Sequence, residues 1–161
     1  MIAHDEVMAA ALWVTSREGG ALVSDPALSK WGLSLRYHPE FGEAGIRNAT
    51  QAQAAQVFAS PTYWLEVWNA LPTYLVIPLL SFAVLEGVGQ GCYALQRALS
   101  VRVDGKIGPQ TIAAASAAKP AVLLEEFFGA CLERFEQSPR WILDGKGWCR
   151  RQFAASLQAQ H

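Results

Sequence analysis

Charge is what this sequence has least of. Only 17% of its 161 residues are Asp, Glu, Lys or Arg, and the net charge is −1 at neutral pH. No field of one sign exists to hold a nucleic acid, so no such partner is expected. Cysteine is scarce as well: Cys92, Cys131 and Cys149 are odd in number and lack C-x-x-C spacing, which argues against a disulfide framework. The histidines His4, His38 and His161 are scattered, so neither a metal site nor another cofactor is expected. Long apolar runs are missing. The longest, 75–85, has 11 residues and is interrupted by Pro78 and Ser81. It is too short to span a bilayer and reads as a buried helix, so no integral membrane segment is expected. The start, Met1-Ile2-Ala3-His4, has no basic region and leads to no clear cleavage site. The expectation is synthesis in the cytoplasm without a signal peptide.

What is present is apolar and alanine-rich. A hydrophobic fraction of 52% excludes disorder, and the length suits one domain with a real core. The charge is uneven. Residues 1–90 hold 4 Lys/Arg against 8 Asp/Glu, and residues 91–161 hold 9 against 6. The basic end suits a polyanion or is an ordinary solvated helix face. Strand signals are weak throughout. Apolar spacing predicts helices over 5–17, over 51–58 capped by Thr50, from Ser60-Pro61 onward, and from Pro72 through 86. Further helices are predicted over 92–99, 110–117, 121–137 and 148–158, with a short separate piece bracketed by Pro139 and Gly145-Lys146-Gly147. Residues 21–47 are rich in Gly and Pro and read as a small hairpin or as helical turns. The fold expectation is all-α, with at most a small hairpin, in a single compact domain of six to eight helices. The expected core is Leu12, Leu75, Ile77, Leu80, Phe82, Val84, Leu95, Leu99, Leu124, Phe128 and Leu132.

Glu18 stands out chemically. It closes the first helical pattern in Arg17-Glu18-Gly19-Gly20, and Asp25-Pro26 follows seven residues later. The negative end of a helix dipole disfavours ionisation of a carboxyl placed there, and apolar neighbours would act in the same direction. A carboxyl that keeps its proton is what a general acid requires. The same residues also fit an ordinary surface Glu before a Gly helix stop.

The order and spacing of several motifs resemble glycoside hydrolase family 108, bacterial and phage N-acetylmuramidases with a lysozyme-like helical fold. Glu18-Gly19-Gly20, Asp25-Pro26 and Trp31-Gly32-Leu33 are similar to its N-terminal motif, and Tyr63-Trp64 to its aromatic pair. Leu95-Gln96-x-x-Leu99, Asp104-Gly105-x-Ile107-Gly108-Pro109-x-Thr111 and Gly147-Trp148-x-x-Arg151 resemble the C-terminal portion, described as peptidoglycan-binding. Two features depart from the family pattern. Only Ala27-Leu28-Ser29-Lys30 lies between Asp25-Pro26 and Trp31-Gly32, where the family has a longer loop. Val84-Leu85-Glu86-Gly87 stands where the family has Val-Asn-x-Gly, so the asparagine's amide is lost, and Glu86 either substitutes for it in the cleft or faces solvent.

The resemblance implies an enzyme: a phage-type endolysin that cleaves the glycan backbone of bacterial peptidoglycan, its partner, by general acid catalysis. It would act at the cell wall after release from the cytoplasm, as a monomer. A muramidase-like lobe would cover 8–90 and a peptidoglycan-binding-like lobe 91–158, within the single domain 1–161. Glycoside cleavage needs a proton for the leaving oxygen and a group that stabilises or traps the anomeric centre. Glu18 is the candidate acid. Asp25 is a base or electrostatic stabiliser, or else the residue of an Asp-Pro turn. Ser29 orients a water, or only makes a loop hydrogen bond. Candidate substrate contacts are Trp31, Tyr63, Trp64, Glu86 and Gln96, since sugar faces need flat aromatic platforms and sugar hydroxyls need polar groups. Trp148 and Arg151 read as packing and surface residues, with a peptidoglycan contact as the other reading. The alternative function is a non-catalytic peptidoglycan-binding or virion- or secretion-associated protein on the same scaffold.

Overall fold

The computed structural model describes residues 1–24 and 27–159. Eight α-helices and one two-stranded hairpin occur among them, so the expectation of a mostly helical domain holds. Helix α1 spans His4–Glu18. Asp5 and Glu6 in its first turn complement the helix dipole, and Glu6 Oε2 accepts from the Ala3 N–H at 2.7 Å. Gly19, at φ 78°, ends it and donates its N–H to the Thr15 carbonyl. Val7, Ala10, Ala11 and Val14 form its buried face. Leu12 is a correction to the expected core: it is 41% exposed, on the helix face opposite Ala10 and Val14.

The segment that reads as hairpin or helical turns contains both. Strands β1 (Ser29–Lys30) and β2 (Leu33–Ser34) pair antiparallel, Ser29 with Ser34 and Lys30 with Leu33. A 3₁₀ turn over Pro39–Phe41 leads into α2 (Gly42–Asn48). Thr50 caps α3 (Gln51–Phe58) as its residue type predicts: the Gln53 N–H donates to Thr50 Oγ1 at 3.2 Å, and Gln53 Oε1 accepts from the Thr50 N–H at 2.9 Å. The helix expected from Ser60-Pro61 does not form. Turns and a 3₁₀ helix over Glu66–Ala70 replace it. Two indoles shape this stretch: Trp64 and Trp68 pack edge to face at 5.2 Å, and Trp64 Nε1 donates to Asn69 Oδ1 at 2.7 Å.

The central helix is α4, Val76–Glu86. Its middle stretch, 78–83, is buried on every side, and its last turn, with Leu85 and Glu86, is only partly covered. Pro78 sits in its first turn, where a missing N–H costs nothing. Gly87, at φ 93°, bends the chain into α5, Val88–Ala98. Helices α6 (Pro109–Ala117) and α7 (Pro120–Glu136) each begin at a proline. α1, α5 and α8 pack around α4, and Phe82 of α4 meets Phe127 and Phe135 of α7 at ring distances of 6.0 and 5.4 Å. Phe127, rather than the expected Phe128, is the core residue; Phe128 packs at a tilt against Phe153 outside the core.

The last helix differs most from expectation. α8 runs without a break over Trp141–Gln158, so Gly145 and Gly147 lie inside it. A Cβ on Gly145 would stand 2.2 Å from the Trp141 ring. The missing side chain lets that indole lie against the backbone, and packing on α4 and α7 offsets the poor helix propensity of glycine.

Candidate functional site

Glu18 is the last residue of α1, and its surroundings come from three distant parts of the chain. The first is the hairpin turn. Trp31 and Gly32 both have positive φ, 55° and 83°. A tryptophan is strained in that region. It is held there by its N–H, which donates to the Gly19 carbonyl at 3.1 Å, and by its ring, which lies over Gly20. A Cβ on Gly32 would come within 2.8 Å of Glu18 Cγ, so glycine is required for the turn to press against the Glu18 stem.

The second part is α8. Arg151 Nη1 donates to Glu18 Oε1 in an ion pair. The third is α4: Arg151 Nη2 donates to the Ser81 carbonyl at 3.0 Å, and Nε to Ser81 Oγ at 3.3 Å. Arg151 is thus a buried cation with both ends of its guanidinium committed. Burial pulls it down to about 9, still well above neutral pH, so it carries its charge. A guanidinium against a carboxylate favours the ionised form. Arg151 acts against the helix dipole and the apolar neighbours expected to keep the proton on Glu18.

Glu18 and Arg151 line a recess of about 350 Å³ with Arg17, Leu85, Asp144 and Trp148. A second recess of about 400 Å³ shares Leu85 and Trp148 with it and adds Tyr37, Tyr63, Glu86 and Arg134. The two adjoin at Leu85 and Trp148 as the halves of a cleft. In it Glu86 Oε2 lies 2.9 Å from Arg134 Nε, close but poorly aligned for a hydrogen bond. Burial raises the Glu86 carboxyl above its ordinary value, and the attraction of Arg134 only partly offsets this. Tyr63 stands in the wall with its hydroxyl 2.8 Å from His38 Nε2.

Of the residues expected from sequence, Glu18, Tyr63 and Glu86 share this cleft, and Trp31 backs it through the hairpin turn. Ser29 lies on β1, its backbone bridged to Val23 in both directions at 2.7 and 3.0 Å. Asp25 lies outside the described residues. Trp64 is buried and lines a separate recess with His4, Val7 and Asn69. Gln96 is buried and lines neither recess of the cleft. Its amide holds the turn after α5, donating to Asp104 Oδ1 at 2.8 Å and the Lys106 carbonyl at 3.0 Å, and accepting from the N–H groups of Asp104 and Gly105.

Residues 90–153 match the family model described as a predicted peptidoglycan domain. That stretch contains Arg134, Trp148 and Arg151, so part of the Glu18 cleft is built from it. The match associates the protein with peptidoglycan. The whole chain is similar in fold to the structure of Brucella abortus SagA, with a TM-score of 0.83 and 24% identity over 98% of this chain and 95% of that one. No curated protein matches the chain.

Arg151, Trp148 and Arg134 were not expected in the cleft, although the first two belong to the Gly147-Trp148-x-x-Arg151 motif. A signal for the first did exist. Trp148, Arg151, Gln152, Ala155 and Ser156 recur at helical spacing, and once Gly147 is admitted into the helix they form its inward face.

Proposed function

We propose that the protein is a peptidoglycan-cleaving N-acetylmuramidase of the phage endolysin type, with Glu18 as its general acid. The observation that carries this reading is the Glu18–Arg151 contact. It joins a carboxylate at a helix end to a side chain of the peptidoglycan-domain stretch, inside one cleft. A polymer bound by residues of 90–153 therefore passes the Glu18 carboxyl. Leu85 and Trp148 supply an apolar floor for a sugar face, and Glu86, Arg134 and Tyr63 supply polar edges for its hydroxyls. In the open cleft Arg151 holds Glu18 as a carboxylate. Glu18 must take up a proton from solvent before the sugar covers the cleft, and it then gives that proton to the leaving oxygen. Asp25 and Ser29 are proposed, from their place in the sequence, to act on the attacking water. The lobes 8–90 and 91–158 then correspond to cutting and holding parts of one unit. The protein acts on the wall after leaving the cytoplasm.

The same contact also favours a second reading. A carboxylate tied to a buried arginine is what a purely structural bond between α1 and α8 looks like, and a non-catalytic wall-binding protein would keep it. Glu18→Gln separates the two in a turbidity assay on purified peptidoglycan. As general acid, Glu18 gives a loss of roughly 10²–10⁴-fold with an unchanged circular dichroism spectrum. Wild-type protein that binds peptidoglycan without clearing it establishes the second reading.

A further inference from the structure

The recess that holds Glu86 is also lined by Tyr63, the last member of a hydrogen-bonded chain that proton delivery by Glu18 does not use. His38 is buried between two partners. Its Nδ1 lies 3.0 Å from Glu40 Oε1, and its Nε2 lies 2.8 Å from the Tyr63 hydroxyl. Glu40 is exposed, His38 is inside, and the Tyr63 ring reaches the cleft wall. Phe41 and Phe58 fix the geometry, packing edge-on against His38 at 6.1 Å and against Tyr63 at 4.9 Å.

The chemistry of the chain sets its direction. A backbone hydrogen bond of its own, and then His38, hold the Glu40 carboxyl below its ordinary value. An ionised carboxylate only accepts, so His38 Nδ1 must carry a hydrogen. In the neutral ring Nε2 then offers only a lone pair, and the Tyr63 hydroxyl must donate to it. Burial raises the Tyr63 phenol, so it keeps its proton at neutral pH. With its one hydrogen committed to His38, the phenol oxygen has only lone pairs left for the cleft.

We infer that Glu40 and His38 are positioning residues that fix the Tyr63 hydroxyl as a hydrogen-bond acceptor in the cleft wall, selecting a neutral donor on the glycan, either an acetamido N–H or a ring hydroxyl. This inference rests on the peptidoglycan reading for its ligand but not for the direction of the chain. A site built to accept discriminates against a ligand that presents only acceptors there, because the buried lone pairs would face each other.

The test uses the full chain at about pH 8, where an imidazole is ordinarily neutral. Glu40→Gln is isosteric and exposed, and its amide both donates and accepts, so it releases the direction of the chain without threatening the fold. Tyr63→Phe removes the acceptor. ¹⁵N spectra of the imidazole are expected to show the Nδ1–H tautomer in the wild type and a loss of that preference in Glu40→Gln. Binding of an N-acetylglucosamine trimer is expected to weaken roughly 3- to 10-fold in each single variant. The double variant is expected to be no weaker than Tyr63→Phe alone, because Glu40 acts only through the phenol. A parallel loss for cellotriose identifies the donor as a ring hydroxyl, and a loss confined to the acetylated trimer identifies the acetamido group. An Nε2–H or doubly protonated ring in the wild type, unchanged affinity in Tyr63→Phe, or additive losses would each overturn the inference. Wild-type protein that binds neither oligomer overturns the glycan ligand together with the function proposed above, while the tautomer result still decides the direction of the chain.

Discussion

The guanidinium of Arg151 is bonded to the carboxylate of Glu18 across 133 residues of sequence. The carboxylate ends the first helix, the guanidinium lies in the last, and Ser81 of the central helix holds the guanidinium in place. The pair defines both the cleft and the way the two ends of the chain depend on each other.

Arg151→Met removes a cation whose partner is only partly exposed. Breaking one side of a buried pair costs about 3–5 kcal/mol, and the partial hydration of Glu18 places the expected loss near the low end. The double variant Glu18→Gln/Arg151→Met should recover about 1–3 kcal/mol relative to the sum of the single changes, as contacting residues do. Urea unfolding of the four proteins measures this. Strict additivity would show that the contact contributes nothing.

Glu86 gives a pH signature. Burial raises its carboxyl from the ordinary 4.5, so the folded protein holds this proton to higher pH than the unfolded chain does. As pH rises from 4.5 toward the raised folded value, the native state is the form with more protons bound, and stability contributed by this group falls. Glu86→Gln cannot titrate. Its Tm relative to wild type is expected to improve between about pH 4 and pH 7. A relative Tm that worsens over this range would mean that Arg134 outweighs burial at Glu86.

Gln96→Leu leaves the N–H groups of Asp104 and Gly105 without their acceptor in a partly buried turn. The expected cost is ~1–3 kcal/mol for an orphaned group. Affinity for peptidoglycan, measured by co-sedimentation of the folded protein, should stay at the wild-type level. A loss of binding at unchanged stability would put Gln96 in contact with the polymer.

Truncation after Gln90 removes Arg151 and uncovers α4, whose Leu79, Leu80 and Phe82 are fully buried in a core that continues into α5 and α7. The fragment 1–90 is expected to be insoluble or unfolded by circular dichroism. A soluble, cooperatively melting fragment that still clears peptidoglycan would refute the shared core.

Local signals in the sequence marked most elements. Thr50 with Gln53 announces α3, Pro109 and Pro120 announce α6 and α7, and Gly19 and Gly87 end α1 and α4. Each acts through its own backbone or first turn, so no tertiary knowledge is needed. Elements decided at a distance were not legible. Gly145 reads as a break until the Trp141 ring is known to lie on it, and the Trp64–Trp68 packing replaces the helix that the spacing from Ser60 predicts. Phe127 and Phe128 are equally apolar, and only the direction of α4 relative to α7 chooses between them. At the site, Glu18 was visible because two glycines follow it. Arg151 was legible only as part of a helix face that Gly145 and Gly147 mask, and its partner lies at the other end of the sequence.

The arrangement also has an order in time. Chains are made from the N-terminus at about 5–20 residues per second, so Glu18 leaves the ribosome on the order of 10 s before Arg151 does. Throughout that interval the carboxylate has no cation, the cleft lacks the wall supplied by α8, and α4 is uncovered on the face that Gln152 and Arg151 later occupy. Docking of α8 is therefore the step that completes the site, and any chemistry at Glu18 waits until Arg151 and its helix have been made.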